Sequence, residues 1–533
     1  MGAGFFASFI GRETAAGDLL PSWPFDEAAW DDAARRAGRR RASPELLAEL
    51  GRQSAALPPS PARERNVLAL GAQGASAVVT GQQVGLFLGP LYTLHKAATA
   101  VARARDLAAR TGRPCVPIFW LQTEDHDFDE VAHAEVLAPA GRRTLGLPPE
   151  AAAERRVSLA HRRLPPEADS LVAALADLLE PLPHGAEVAA LVSRHYRAGR
   201  SPGAAFAGVL AELFAEEGLV VLDPRTEAVA RLAAPVVRRS VEEAAAIGEA
   251  LVARGRELRA RGFAEQVPAR PDASLAFFHP RGPAGPRYRL SRTAEGFETP
   301  EGPVASSAVL ERLERDPLSF SSSALLRPLV QDALLPTAAY VGGPAEIAYF
   351  AQLPPLYDLF GLEMPLVAPR ARLRILEAPV RRELSRLELA PADVDRPREE
   401  LVRRIAPRLD GLPPPEALRA SMLGPIEREL DRVAPVAARL DAGLERALRR
   451  TRRHVAKGVD RFLARLDRAA LQADALAAAR LERVLEALRP SGQPQERVYA
   501  FPPFAARAGP RVFVRALVEA AAPLGAGVRD VTP

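Results

Sequence analysis

Residues 75–121 read ASAVVTGQQVGLFLGPLYTLHKAATAVARARDLAARTGRPCVPIFWL, and the order of elements in this stretch decides the fold. ASAVVT (75–80) is a short β-rich run that ends at Thr80. A glycine-rich turn follows. GPLYTLHKAATAVARARDLAARTG then has the composition of a helix, with Pro90 near its first turn and Gly112 as its stop. CVPIFWL (115–121) is a second, buried strand. Strand, helix and strand at this length call for parallel pairing through a right-handed crossover. Ligands of such sheets bind beyond the carboxyl ends of the strands. Both the glycine-rich turn and the acidic segment after Leu121 would lie there.

Further along, GLVVLDP (218–224), TAAYV (337–341) and MPLVAP (364–369) read as more strands, and RVFVRALV (511–518) as additional β-like material. Pro- and Gly-rich insertions near 139–203 and 264–320 interrupt the α/β rhythm. Residues 378–490 change character, with Arg, Leu, Ala and Glu dominant. Apolar or small residues recur there with 4-3 spacing at Ile426, Leu430, Val433, Ala437, Leu440, Leu444, Ala447 and Thr451. The register shifts near Val455 and resumes from Val459 and Phe462 to Ala473 and Leu476. This is a coiled-coil seam with a stutter, suited to an antiparallel hairpin or a dimer interface, and Pro435 is expected to break or kink it. The fold expected is α/β: a Rossmann-like parallel-sheet core over 1–377 with two connecting insertions, a helical coiled-coil domain over 378–490, and a return to the core over 491–533.

Composition narrows the function. No uninterrupted apolar run reaches the ~18 residues a membrane span needs. MGAGFFASFIGRETAAG lacks a basic leader and a cleavage site, so a cytoplasmic location is expected. Net charge is only +5 and aromatic residues are 6%, with no basic block interleaved with aromatics, so nucleic acid is not the expected partner. Cys115 is the single cysteine, which excludes disulfides within the chain and thiolate-built metal sites. Lysine is nearly absent: of 71 basic residues only Lys96 and Lys457 are lysines, which marks Lys96 as a place where a compact ammonium is required.

Three segments carry chemistry. TGQQVGLFLGPLYTLHK (80–96) has glycines that allow close backbone approach and a helix start that favours an anion, though it is neither a Walker A loop nor a GxGxxG fingerprint. TEDHDFDE (123–130) sets six ionisable groups, Glu124, Asp125, His126, Asp127, Asp129 and Glu130, into seven positions at a strand end. Such crowding costs self-repulsion unless a metal, a cationic substrate or the histidine offsets it. In LRPLVQDALLPTAAYVGGPAEIAYF (326–350), Gly342, Gly343 and Pro344 lead from a strand into a helix, with Glu346 and Tyr349 on one face. There Glu346 could bind an amino group, and Arg327 a carboxylate or phosphate.

Taken in order, TGQQVGLFLGPLYTLHK, PIFWLQTEDHDFDE, RPLVQDALLPTAAYVGGPAEIAYF, MPLVAPR (364–370) and QPQER (493–497) resemble the bacillithiol-biosynthesis cysteine-adding enzymes, from about residue 75 to the C-terminal region. The insertions and the first seventy residues carry little of the likeness. The resemblance implies a Rossmann-like core with two connecting segments, and a coiled coil used for homodimerisation. It also implies a ligase that joins the cysteine carboxylate to the amine of glucosaminyl malate, acting on small molecules with no nucleic acid or membrane partner. Amide formation from a free carboxylate needs activation, most simply by ATP through an acyl-adenylate or acyl-phosphate. On residue chemistry, Thr80, Gly81, Gln82, Gln83, Gly85 and Gly89, with His95 and Lys96, are expected to bind and stabilise phosphates. Asp125 and Asp127 would hold Mg²⁺ or orient the amine, with His126 as acid/base. Glu124, Arg327, Tyr340, Gly342, Gly343, Glu346 and Tyr349 would grip the substrates. Two rivals are a metal-dependent hydrolase built on TEDHDFDE and a non-catalytic coiled-coil scaffold.

Overall fold

The computed structural model describes residues 3–138, 141–150, 155–409 and 415–533. Residues 139–140 and 151–154 of the first insertion lie outside that description, as does the side chain of the seam residue Ala473. The β-α-β unit consists of β1 (Ser76–Gln82), α1 (Tyr92–Thr111) and β2 (Cys115–Leu121). β1 and β2 pair in parallel, from Ser76 opposite Cys115 to Gln82 opposite Leu121. Helix α1 stops where Gly112 turns left-handed at φ 64°, a conformation that a Cβ disfavours. Strand β3 (Val220–Leu222), helix α2 (Arg327–Leu334), strand β4 (Thr337–Gly342), helix α3 (Pro344–Phe350) and strand β5 (Leu366–Pro369) follow.

All four strand pairings in this sheet are parallel, and its order is β3-β2-β1-β4-β5. Chain order runs outward from β1 on one side to β3 and returns to the other side at β4. The crevice beyond β1 and β4 is therefore the topological switch point of a doubly wound sheet. Alternate strand residues feed two cores, as the pleat requires. Val79, Ile118, Trp120 and Tyr340 pack on one side. Val78, Cys115, Ala339 and Val341 pack on the other. Burial pushes the Cys115 thiol up to about 12, so it is an apolar core residue.

The first insertion holds the hairpin of His133–Ala138 with Gly141–Gly146 and the helices Glu167–Leu179 and Gly185–His195. The second folds into its own antiparallel sheet of Phe320–Ser322, Ala273–Phe278, Tyr288–Arg292, Gly296–Thr299 and Gly302–Ala305.

By its internal contacts the chain falls into two compact units, one of residues 1–374 with 496–531 and 533, the other of residues 375–495 with 532. In the second unit α4 (Pro415–Leu440), α5 (Ala442–Ala473) and α6 (Ala475–Leu488) succeed one another. Ion pairs Arg419–Asp460 and Arg452–Asp431 join α4 to α5 in antiparallel order. Two expectations change here. Helix α4 runs through Pro425 and Pro435, and the break falls instead at Asp441, whose extended backbone (φ −164°) turns the hairpin. The seam from Ile426 to Thr451 is thus divided between two helices. A third correction concerns 511–518, which is part of helix α7 (Pro510–Ala521). Its buried Phe513, Val514, Leu517, Val518 and Ala521 recur at helical rather than alternating spacing.

Candidate functional site

Helix α1 presents Tyr92, Lys96 and Thr99 to the strand ends around the switch point, Tyr92 and Lys96 at the end of β1 and Thr99 at Ala371 just after β5. The Lys96 ammonium donates to the Gly81 carbonyl and to the Gln82 side-chain oxygen, both at 2.8 Å, and pairs with Glu346. An ammonium has three donors, and all three are engaged. Glu346 also accepts from the Gly343 N–H at 2.8 Å and the Tyr340 hydroxyl at 2.5 Å. Burial alone would raise the Glu346 carboxyl, but Lys96 and these donors hold it below the usual range. Burial lowers Lys96, against the pull of Glu346. The pair therefore clasps the end of β1 to the start of α3. Close approach is needed at Gly81, where a Cβ would come within 2.7 Å of the Trp120 carbonyl.

Beside the clasp, Arg327 donates to the hydroxyls of Tyr349 at 2.6 Å and Tyr340 at 3.3 Å, and to Gln331 at 3.1 Å. Burial would lower this guanidinium, but Tyr340, Tyr349 and Glu346 raise it. His95 faces elsewhere. It is fully buried, and its Nδ1 meets Glu496 at 3.0 Å. Glu496 in turn receives a bidentate fork from Arg370, both arms at 2.7 Å. Burial would raise Glu496, yet Arg370 and His95 hold it well below the ordinary carboxylate range.

A cleft of about 520 Å³ opens over these residues. Of the expected site residues, Gln82, Gln83, Lys96, Glu124, Asp125, His126, Arg327, Gly343, Glu346 and Tyr349 line it. The glycine-rich turn faces the acidic segment across it, because Gln83 donates to Asp125 at 2.9 Å and to Glu130 at 2.7 Å. Tyr92 stands on the same wall. Burial, then Glu130 and Glu346, push its phenol up to about 12, so it is a proton-bearing donor at neutral pH.

Other expected residues have different tasks. Thr80 is buried and donates to the Val341 carbonyl at 2.8 Å, which ties β1 to β4. Gly85 gives its carbonyl to the Tyr196 hydroxyl at 3.2 Å, and Gly89 packs on Ala500. Tyr340 supports Glu346 from within the core, and Gly342 gives its carbonyl to the Arg370 N–H at 2.9 Å. None of these lines the cleft, and neither does His95.

Asp125 and Asp127, the two acids expected to hold a metal, each have other partners. Asp127 caps the short helix Phe128–Val131 by accepting from the Glu130 N–H. The Asp125 oxygens accept from the His126 N–H at 2.7 Å and from Gln83, with Arg287 at 3.6 Å. Burial would raise Asp125, but His126, Arg287 and Gln83 hold it well below the usual range. Among the described residues no group of three or more His, Cys, Asp or Glu side chains is arranged to hold a metal.

Several wall residues escaped the sequence reading. Arg287 comes from the second insertion, donates to the Glu124 carbonyl at 2.5 Å and the Ser322 carbonyl at 3.2 Å, and lies 3.9 Å over the Phe277 ring. Ser322 binds the Glu124 carboxylate through its N–H at 3.1 Å and through its hydroxyl. Arg270, Arg289, Arg370 and Arg497 complete the basic lining. Arg370 and Arg497 sit inside MPLVAPR and QPQER, so their motifs were visible even though their place in the cleft was not. Arg270, Arg287 and Arg289 carried no motif.

The bacillithiol biosynthesis BshC N-terminal Rossmann-like domain matches residues 4–371, and the C-terminal coiled-coil domain of the same family matches residues 373–526. The likeness therefore extends over the first seventy residues, where motifs had carried little of it. Among relatives named "Putative cysteine ligase BshC", that of Solibacter usitatus is 37% identical over 88% of this chain and 85% of its own length. That of Koribacter versatilis is 36% identical over 84% and 82%, and that of Salinibacter ruber 34% identical over 79% and 76%.

Proposed function

The chain belongs to the bacillithiol-biosynthesis BshC family, and from that premise we propose that it is a cytoplasmic ligase joining the carboxylate of cysteine to the amine of glucosaminyl malate. One observation carries the reading. The cleft at the switch point is lined by seven cationic side chains (Lys96, Arg270, Arg287, Arg289, Arg327, Arg370 and Arg497) against four carboxylates (Glu124, Asp125, Glu130 and Glu346). An excess of three positive charges suits reactants that carry carboxylates and phosphates.

ATP is the co-reactant this chemistry calls for, and when bound it supplies the free energy to activate the cysteine carboxylate. Gln82 and Arg497, at the strand end and on the facing wall, are the residues that would hold its phosphates. The engaged donors of Lys96 make it a positioning residue, which fixes the floor of the site through Gly81 and Glu346. Asp125 is too acidic to serve as a general base near neutral pH and instead orients its neighbours. His126, on the wall and 3.5 Å from Asp125, takes the proton of the attacking amine. Tyr92 donates a hydrogen bond to developing negative charge. No step is assigned to a metal.

The coiled-coil unit pairs two copies of the chain. Ile426, Val433, Val436, Leu440, Leu444, Phe462 and Leu476 are exposed large apolar side chains on its helices, more than a solvated surface keeps without a partner.

The test is direct. Purified protein given cysteine, glucosaminyl malate and ATP should yield a product with the mass of bacillithiol. Absence of that product with all three substrates present would sink the assignment.

A further inference from the structure

Two arginines that the second insertion places on the cleft wall share with Arg497 the lack of an ion pair among the described residues. Arg270 is exposed, Arg289 is half-buried on the strand Tyr288–Arg292, and both belong to the second insertion. The neighbouring cations are committed. Arg287 serves Glu124, Ser322 and Asp125, Arg370 serves Glu496, and Lys96 serves Glu346. By contrast, neither the Arg270 nor the Arg289 guanidinium has a hydrogen bond or ion pair among the described residues. Each nevertheless feels the other's charge. Burial lowers Arg289 and Arg270 lowers it further, while Asp272 opposes this without forming an ion pair. Arg289 also lies 5.2 Å over the Phe277 ring, on the aromatic surface that carries Arg287. Two guanidinium forks that line one cleft, neither paired with a carboxylate, form a site for an anion with two acidic groups.

Resting on the ligase reading above, we propose that Arg270 and Arg289 clamp the malate dicarboxylate of the acceptor, one guanidinium to each carboxylate. The second insertion is then the element that chooses the acceptor. The insertion brings these arginines to the cleft from outside the parallel sheet, Arg289 on its antiparallel sheet and Arg270 just before the strand Ala273–Phe278, so they are separate from the strand ends where phosphates would sit. Phe277 supplies an apolar surface beside them for the sugar ring.

The experiment compares the full-length chain with Arg270→Ala, Arg289→Lys and the double variant Arg270→Ala/Arg289→Ala. KM and kcat are measured separately for glucosaminyl malate, cysteine and ATP, and for methyl glucosaminide as an acceptor with no carboxylate. The double variant should raise KM for glucosaminyl malate about ten- to hundredfold, the factor expected for lost charge-assisted pairs. The KM values for cysteine and ATP should stay nearly unchanged, and the preference over methyl glucosaminide should fall by the same factor. Arg289→Lys keeps the charge without the fork and should fall between. A KM increase for ATP alone would make this a phosphate site and overturn the assignment, as would unchanged KM values for all three substrates. Arg270→Ala alters an exposed side chain, so its effect is separable from misfolding. Calorimetric titration with glucosaminyl malate separates this proposal from the ligase reading. If the wild type forms no product yet binds glucosaminyl malate, and the double variant does not, the ligase reading fails and the clamp stands. Equal binding by both, or none by the wild type, overturns the clamp.

Discussion

Replacing Lys96 by Met should expose how the switch point is held together. The Lys96 side chain is 3% exposed and that of Glu346 15%, so both charges are largely withdrawn from water. Without the ammonium, the Glu346 carboxylate keeps the Gly343 N–H and the Tyr340 hydroxyl but loses its counter-charge. Breaking a buried pair in this way costs about 3–5 kcal/mol. Glu346→Gln leaves the ammonium with only the Gly81 and Gln82 oxygens, and should cost a similar amount. The double variant removes both charges, so its loss should fall short of the summed single losses by at least ~1 kcal/mol. All three tryptophans, Trp23, Trp30 and Trp120, lie in the unit that carries the cleft. Guanidinium unfolding followed by tryptophan fluorescence therefore reports that unit and not the helical one. The pH dependence adds a second readout. Because the folded-state carboxyl of Glu346 is lowered, its stabilisation is present above the ordinary value of about 4.3 and lost as pH falls through the folded value. The gap between wild type and Lys96→Met should then narrow on the acid side. Additive single losses, with coupling below ~0.5 kcal/mol, would refute the clasp.

Two other perturbations test separate parts of the molecule. Glu496→Gln strands Arg370 beside His95, and the same fluorescence transition should fall by about 3–5 kcal/mol. Glu496 is also lowered in the folded state, so wild type and variant should converge as pH drops below the ordinary carboxylate value. A gap that persists at low pH would remove the electrostatic explanation. In the helical unit, Leu440→Glu with Phe462→Glu places charges on exposed apolar positions, and light scattering should report a fall from dimer to monomer with the tryptophan transition unmoved. A dimeric mass in the variant, or a monomeric wild type, would contradict pairing through these helices.

The sheet was legible because its strands are continuous apolar runs that need cover on both faces, and because the helix between the first two carries its own stop at Gly112. The facing of the glycine-rich turn and TEDHDFDE followed from topology alone, since both leave parallel strands at the same edge. What each side chain does there was not legible. His95 and Lys96 are adjacent in sequence, yet successive helical positions diverge: one reaches Glu496 and the other Glu346, both distant in sequence. Residues 511–518 misled because Val and Phe favour strands locally, whereas the spacing of the buried positions is helical. Pro435 misled for a related reason. Proline removes one hydrogen bond, and on an exposed helix the freed carbonyl can turn to water, so the hairpin fixes the break at Asp441.

The density of acids in TEDHDFDE posed a problem of self-repulsion, and its solution explains why the second insertion belongs to the site. Three of the carboxylates meet partners that neutralise or bind them: Ser322 takes Glu124, Arg287 and Gln83 take Asp125, and Gln83 also takes Glu130. Asp127 is turned away as a helix cap. Of these partners, Ser322 and Arg287 come from the insertion or its closing strand, and Gln83 comes from the glycine-rich turn. The acidic segment is thus the joint at which insertion and parallel sheet are fastened. Once the acids that line the cleft are matched, the arginines left over, Arg270, Arg289 and Arg497, set the charge offered to a ligand. An acidic segment in the sequence therefore ends in a basic cleft. The binding preference comes from the cations that remain unmatched, two of which the insertion supplies.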